Sequence, residues 1–270
     1  MVTDPAPARN GTGNAGGPAP ESAALLARLG DEVSLWDLEV TATLALTPTM
    51  RRIRVTAPGL GAFSYRPGQD LMLSVPATDG ATFRRRYTVR SFDPAAPALD
   101  IDVVLHGDGP AATWAAGVQP GDRIEAIGPR GKVTVDPGAQ WHLFAGDDSA
   151  VPASLAMAET LPADRLVVVL EVDGAHDEQQ ATAVDGRPVP VQWLHRGGAA
   201  PDSGAQLLGA LAAAALLAGL GHAYLAGELG VVAAMRTALL GRGMAAEQIS
   251  AKPYWRAGRA NAAHGEPERP

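Results

Sequence analysis

The chain has 270 residues and a formal net charge of −7. That acidity argues against nucleic acid or an anionic membrane as the main partner, so an anionic ligand has to be captured by local positive charge. The absence of cysteine excludes disulfides, thiolate catalysis, cysteine-ligated iron–sulfur clusters and zinc ribbons, and leaves any redox chemistry to an organic cofactor.

The length suits two modest domains, each large enough to bury a core. Residues 1–20 and 258–270, rich in proline, glycine and charge, are expected to be disordered tails. The amino end has neither the basic start nor the apolar run of a signal peptide, which points to the cytoplasm. Glu21–Leu29 suits a short helix closed by Gly30. Alternating runs follow at Arg52–Thr56 and Leu71–Val75, separated by the turn Arg66-Pro67-Gly68-Gln69.

The next strand, Arg84-Arg85-Arg86-Tyr87-Thr88-Val89-Arg90-Ser91-Phe92, concentrates four arginines beside a phenol and two hydroxyls. Alternation places Arg85, Tyr87 and Val89 on one face and Arg86, Thr88 and Arg90 on the other. Guanidinium forks match phosphate oxygens, a phenol ring covers a flat cofactor, and a hydroxyl reaches a ring nitrogen. Considered alone, such a basic run also fits a charged strand edge that guards against aggregation.

Leu99, Ile101, Val103 and Leu105 form one face of a further strand, with Asp100 and Asp102 opposite. It runs into His106-Gly107-Asp108-Gly109-Pro110-Ala111-Ala112-Thr113-Trp114, a glycine loop with proline at a helix start, and a helix amino end is a phosphate seat. Pro120-Gly121-Asp122 turns into Arg123–Ile127 and then Gly128-Pro129-Arg130-Gly131. Short strands at this spacing predict an antiparallel β-barrel over residues 21–135.

From residue 136 the pattern alternates strand and helix. The strands are Trp141–Ala145, Leu166–Leu170, Val189–Trp193 and Ala223–Ala226, and the helices are Ala153–Glu159, one from Ser203, and Val231–Leu240. The apolar run from Leu207 to Gly221 is shorter than the roughly 18 residues of a membrane span and reads as a core helix. This predicts an α/β domain with a parallel sheet over residues 136–257, whose ligand lies at the carboxyl ends of the strands. Those ends carry Gly146–Ser149, Glu171, His195-Arg196 and Gly227-Glu228, and no Gly-x-Gly-x-x-Gly fingerprint follows any of these strands. The histidines (His106, His142, His176, His195, His222, His264) have no ligand spacing, and no protein-bound metal is expected.

Arg85-x-Tyr87-Thr88 resembles the Arg-x-Tyr-Ser/Thr flavin motif of the ferredoxin reductase superfamily, and its extension to Arg90 resembles the siderophore-interacting proteins. Pro67-Gly68-Gln69, Val104-Leu105-His106-Gly107 with Gly109-Pro110-Ala111 and Trp114, Gly146-Asp147 with Ala150-x-Pro152-Ala153, Trp193-Leu194-His195-Arg196, Ala226-Gly227-Glu228 and Tyr254-Trp255-Arg256-x-Gly258 support the same likeness, in order from about residue 45 to 259. Pro253 stands where the family pattern has glycine.

The resemblance implies a flavin-binding barrel, a nicotinamide-binding domain and ferric-siderophore reduction with FAD and NADPH or NADH. It places Arg85 on the FAD phosphates, Tyr87 against the flavin, and Thr88 near its reactive nitrogen, with Val89 and Arg90 alongside. His106, Gly107, Gly109, Pro110, Ala111 and Trp114 would serve the pyrophosphate, Trp255 the flavin, and Gly146, Asp147, Ala150, Ala226, Gly227 and Glu228 the nicotinamide nucleotide. Arg196 would pair with a 2′-phosphate, or Glu171 with a free ribose hydroxyl. The substrate would be an anionic ferric siderophore held by Arg130 and Lys252, with Arg51, Arg52, Lys132 and Arg256 as further cations. A monomer is expected. A general flavin reductase feeding an oxygenase and a non-catalytic siderophore-binding protein share parts of this pattern.

Overall fold

The structure is a computed structural model that describes residues 33–77, 80–105, 109–200 and 203–258. The expected helix at Glu21–Leu29, the amino-terminal tail, nearly all of the carboxyl-terminal one, and His106, Gly107 and Asp108 lie outside the described residues.

The first half forms a seven-stranded antiparallel sheet in the order β4-β3-β7-β1-β2-β6-β5. Its strands are β1 (Ser34–Thr47), β2 (Met50–Thr56), β3 (Asp70–Pro76), β4 (Thr82–Thr88), β5 (Ser91–Asp93), β6 (Ala98–Val104) and β7 (Arg123–Arg130). After β4 the chain returns to β6, where Arg90 N donates to Asp100 O at 2.9 Å, and the curved sheet becomes the expected barrel. The run expected as one strand from Arg84 to Phe92 therefore breaks at Val89, which is fully buried, with its N–H donating to Gln69 O. Val40, Ile53, Val55, Leu71, Leu73, Val75, Leu99 and Ile101 point inward and form the barrel core. Burying one such side chain contributes about 1.5–3 kcal/mol. Helix α1 (Pro110–Gly117) packs against this core through Ala115 and Trp114.

The second half is a parallel sheet in the order β10-β9-β8-β11-β12, with β8 (Trp141–Gly146), β9 (Leu166–Val172), β10 (Val191–His195), β11 (Gly221–Glu228) and β12 (Ile249–Trp255). Helix α2 (Val151–Ala158) covers the face of Phe144, Val168 and Leu170 and lies toward Met50 and Val104 of the barrel. Helices α3 (Ala205–Ala213) and α4 (Leu229–Gly241) cover the other face, over Leu143, Val169 and Leu225. Both faces are apolar, hence the unbroken apolar run of β9. The apolar run begun at Leu207 is helical only to Ala213. Strand β12 is an addition to the expected elements: it holds Pro253, which an edge strand tolerates because one side of its backbone needs no partner.

The strand order reverses between β8 and β11, so the crevice of this sheet opens beyond Gly146 and Ala226.

Candidate active site

Strand β4 is one edge of the barrel sheet, and β12 is one edge of the parallel sheet. A cleft between them is lined by Arg85, Arg86, Tyr87, Thr88, Asp70, Asp102 and Val104 from the barrel and by Ser149, Pro152, Lys252, Pro253, Tyr254 and Trp255 from the other half. Arg85 and Tyr87 stand opposite Leu73 and Leu71 on the core face, whereas Arg86 and Thr88 stand opposite Met72 and Asp70. Residues from both faces of β4 reach the cleft because, among the described residues, no strand pairs with its outer edge.

Charge in the cleft is organised by Asp70, which is 2% exposed. It accepts from Arg86 Nε and Nη2 at 2.9 and 2.8 Å and from Lys252 Nζ at 2.8 Å, so two cations share one carboxylate across the two halves. The balance is one formal positive charge. Burial, followed by the nearby Asp70 charge, pushes the Tyr254 phenol up to about 12, and the neighbouring Thr88 hydroxyl opposes the rise. Burial also pushes Tyr87 up to about 12. Both phenols stay protonated at neutral pH.

At the strand-order reversal the backbones approach closely. A Cβ on Gly146 would overlap Ala226 O and the Ala150 methyl, and Gly227 has φ +131° with Asp147 where a side chain would go. Asp147, 2% exposed, accepts from Ser149 N and Oγ (2.9 and 2.5 Å), Glu228 N (2.9 Å) and Trp255 Nε1 (2.8 Å). Burial and the Asp148 carboxylate raise its pKa, while these bonds oppose the rise. Asp147 thus pins the ends of β8, β11 and β12 together and sets the indole of Trp255 at the cleft. Glu228 caps α4, accepting from Gly230 N and Val231 N.

Several of the expected site residues have partners elsewhere. Arg90 is 8% exposed and forms a fork on Glu159 at the end of α2, both bonds 2.6 Å, tying the barrel to the parallel sheet. Arg51 holds the carboxyl end of α1 through Ala115 O, Ala116 O and Val118 O. Arg52 forks on Asp102 at 2.7 and 2.8 Å. Arg196, 7% exposed at its side chain, pairs with Asp148 at 2.8 Å. Arg130 Nη1 lies 2.9 Å from Met72 Sδ, and Lys132 and Arg256 are exposed. Gly109 and Pro110 open α1, Ala111 and Trp114 pack against the barrel, and Ala150 is buried beneath Gly146.

Asp70, Asp102, Tyr254 and Glu159 were absent from the expected set, whereas Ser149 falls at the expected strand end beside Gly146. Arg52 and Arg54 alternate on β2 as Asp102 and Asp100 do on β6, and the strands pair these residues directly. That matching of charge periods is a sequence signal for Asp102.

Residues 139–258 match the family model of the siderophore-interacting proteins, and residues 69–133 match the siderophore-interacting FAD-binding domain. The ferric vibriobactin reductase of Vibrio cholerae is 36% identical over 189 residues, covering 67% of this chain and 68% of that protein. The chain belongs to the siderophore-interacting protein family. An uncharacterized protein of Mycobacterium tuberculosis is 42% identical over 187 residues, and the match spans 65% of the length of each. Among solved structures, a siderophore utilization protein from T. fusca superposes with a TM-score of 0.78 at 31% identity, over 87% of this chain and 97% of that one.

The residues present fit the FAD of this family. Arg85 supplies a guanidinium in the cleft, and Tyr87, Tyr254 and Trp255 supply flat surfaces. Pro76, paired with Thr82 at the other end of β4, lines a second recess with Pro110, Thr113 and Trp114 at the start of α1. Among the described residues, no side chain caps the first turn of that helix and nothing stands within 4 Å of a Cβ built on Gly109, and a helix amino end is a seat for an anion.

Proposed function

We propose that this protein is a ferric-siderophore reductase that takes electrons from a nicotinamide nucleotide and delivers them through FAD to chelated Fe(III). The observation that carries this reading is the cleft in which the Arg85–Thr88 strand of the FAD-binding half meets the carboxyl end of the parallel sheet at Trp255. When bound, FAD would supply the conversion from a two-electron hydride to single electrons that a nicotinamide donor and a ferric acceptor require. The rest of the task is placement and electrostatics, which is why no nucleophile with a paired base is needed in the cleft.

In this reading Arg85 and the open turn of α1 hold the FAD phosphates, Tyr87 bounds the flavin, and Thr88 offers its hydroxyl to it. Asp147 keeps Trp255 at the boundary between the flavin and nucleotide sites. Gly146 and Gly227 let the nucleotide approach the sheet at its strand-order reversal. Arg86 and Lys252, set against Asp70, give the cleft the positive balance that an anionic chelate requires in a chain of net charge −7, and the exposed Lys132 and Arg256 are further candidate cations. Ferrous iron is held weakly by hard oxygen ligands and leaves the chelate.

Arg85 gives the sharpest test. Arg85→Ala is expected to weaken FAD binding to the apoprotein about 10- to 100-fold, the value of a charge-assisted hydrogen bond to phosphate. Arg85→Lys would recover only part of this because it keeps the charge and loses the fork. Flavin fluorescence titration measures both, and an unchanged dissociation constant in a folded Arg85→Ala protein would remove Arg85 from the site.

A further inference from the structure

Trp255 and Lys252 place the flavin cleft at the β12 side of the parallel sheet. A nicotinamide that reaches the flavin must therefore lie at that side. The adenosine half then extends along the carboxyl edge, past β11 and β8 toward β9 and β10, each step about 4.8 Å. The groups it meets there are Asp148 after β8, Glu171 and Asp173 at the end of β9, and Arg196 after β10.

These groups are poorly suited to a 2′-phosphate. Arg196 is turned inward, with Nη2 at 2.8 Å from Asp148 and Nη1 at 3.9 Å from Glu171. Neither Arg196 Nη1 nor Glu171 Oε1 has a hydrogen-bond partner among the described residues, so the guanidinium is held by charge in a site 7% exposed at the arginine and 1% at the glutamate. The backbone after β10 is equally committed: Arg196 N donates to Val172 O, Gly197 N to Asp173 O, and Gly198 N to Asp173 Oδ1. Nη2 of the fork and the N–H groups of this turn are already engaged, and Nη1, though without a hydrogen-bond partner, faces Glu171 inside the buried site rather than a phosphate. An added dianion would face Asp148, Glu171 and Asp173 in a medium that screens poorly. A ribose with a free 2′-hydroxyl brings no such charge and donates to carboxylates.

We infer that this carboxylate-quenched Arg196 makes the protein select NADH over NADPH. The inference rests on the reductase reading and names its electron donor.

The test compares NADH and NADPH as donors to the FAD-loaded protein with a ferric chelate as acceptor. Calorimetric titration of ADP-ribose and 2′-phospho-ADP-ribose into the same protein gives a readout independent of turnover. We expect kcat/KM for NADH to exceed that for NADPH by ~10-fold or more, with the same order in the two affinities, since a 2′-phosphate would be left without a cationic partner. Asp148→Asn combined with Glu171→Gln frees Arg196 and should narrow the ratio, mainly through a lower KM for NADPH. NADPH used as well as NADH, or a folded double variant with an unchanged ratio, would overturn the inference and leave the reductase reading intact. If the double variant does not fold, the two wild-type affinities decide, and equal binding overturns the inference. If neither nucleotide reduces the flavin, the reading and the inference both fall.

Discussion

Replacing Asp147 with alanine is expected to lower the stability of the protein by about 3 kcal/mol, roughly 6–12 °C in melting temperature for a unit of this size. Its two oxygens accept from Ser149 N and Oγ, Glu228 N and Trp255 Nε1, and all of these donors would lose their acceptor in a site 2% exposed. Asp147→Asn should rescue little. One oxygen becomes an amide nitrogen that would point hydrogens at Ser149 or at the Glu228 and Trp255 N–H groups. The pH dependence separates this from a simple loss of charge. Because burial raises the folded pKa of Asp147 above its unfolded value, its carboxyl contributes stability at pH below the unfolded pKa and loses that contribution as pH rises through the folded pKa. The Asn variant should lose that segment of the stability–pH curve. Urea melts across pH measure both effects, and an Asn variant as stable as the parent would contradict the requirement for two acceptors.

Arg90→Ala is expected to cost about 2 kcal/mol and to slow electron transfer from the nucleotide more than it weakens FAD binding. Arg90 is 9% exposed at its side chain and carries both hydrogen bonds to Glu159, whose 31% exposure lets it regain water when the partner is lost. Asp102 keeps its fork from Arg52, which limits the cost. The ion pair joins the chain after β4 to the end of α2, the helix that follows the Gly146–Ala150 turn, so it fixes the flavin strand against the nucleotide crevice. Arg90→Lys should rescue poorly, since an ammonium cannot form the fork. A double-mutant cycle with Glu159→Ala should give a coupling of about 1–2 kcal/mol. Stopped-flow reduction of the bound flavin separates placement from stability, and a parent-like reduction rate in Arg90→Ala would contradict the placement role.

The sequence was most legible where packing follows a simple period. Leu99, Ile101 and Val103 alternate because β6 has one face in the barrel core, and β9 is continuously apolar because helices cover both its faces. Two strands escaped for local reasons. The alternation of β1 is broken by irregular register between Val40 and Ala42 and again between Ala45 and Thr47. Strand β12 carries Lys252 and Pro253, residues that a central strand would exclude and an edge strand admits.

The charged residues were visible as a cluster, but their partners were not. Arg90 meets Glu159, Lys252 meets Asp70, and Arg196 meets Asp148, each across 48 residues or more. Such pairings depend on how the two sheets are docked, which no local pattern encodes. The motif Arg85-x-Tyr87-Thr88 was legible because its residues are adjacent on one edge strand, although the cleft they line is completed by Lys252, Tyr254 and Trp255 from the other half.

The most direct test of the account is the visible spectrum of the FAD-loaded protein, recorded anaerobically before and after a nicotinamide nucleotide and again after a ferric siderophore. The account predicts oxidised-flavin bands that bleach with the nucleotide and return with the chelate, as ferrous iron is released to a ferrous-specific dye. A protein that binds no FAD, or whose reduced flavin is not reoxidised by the ferric chelate, would contradict it.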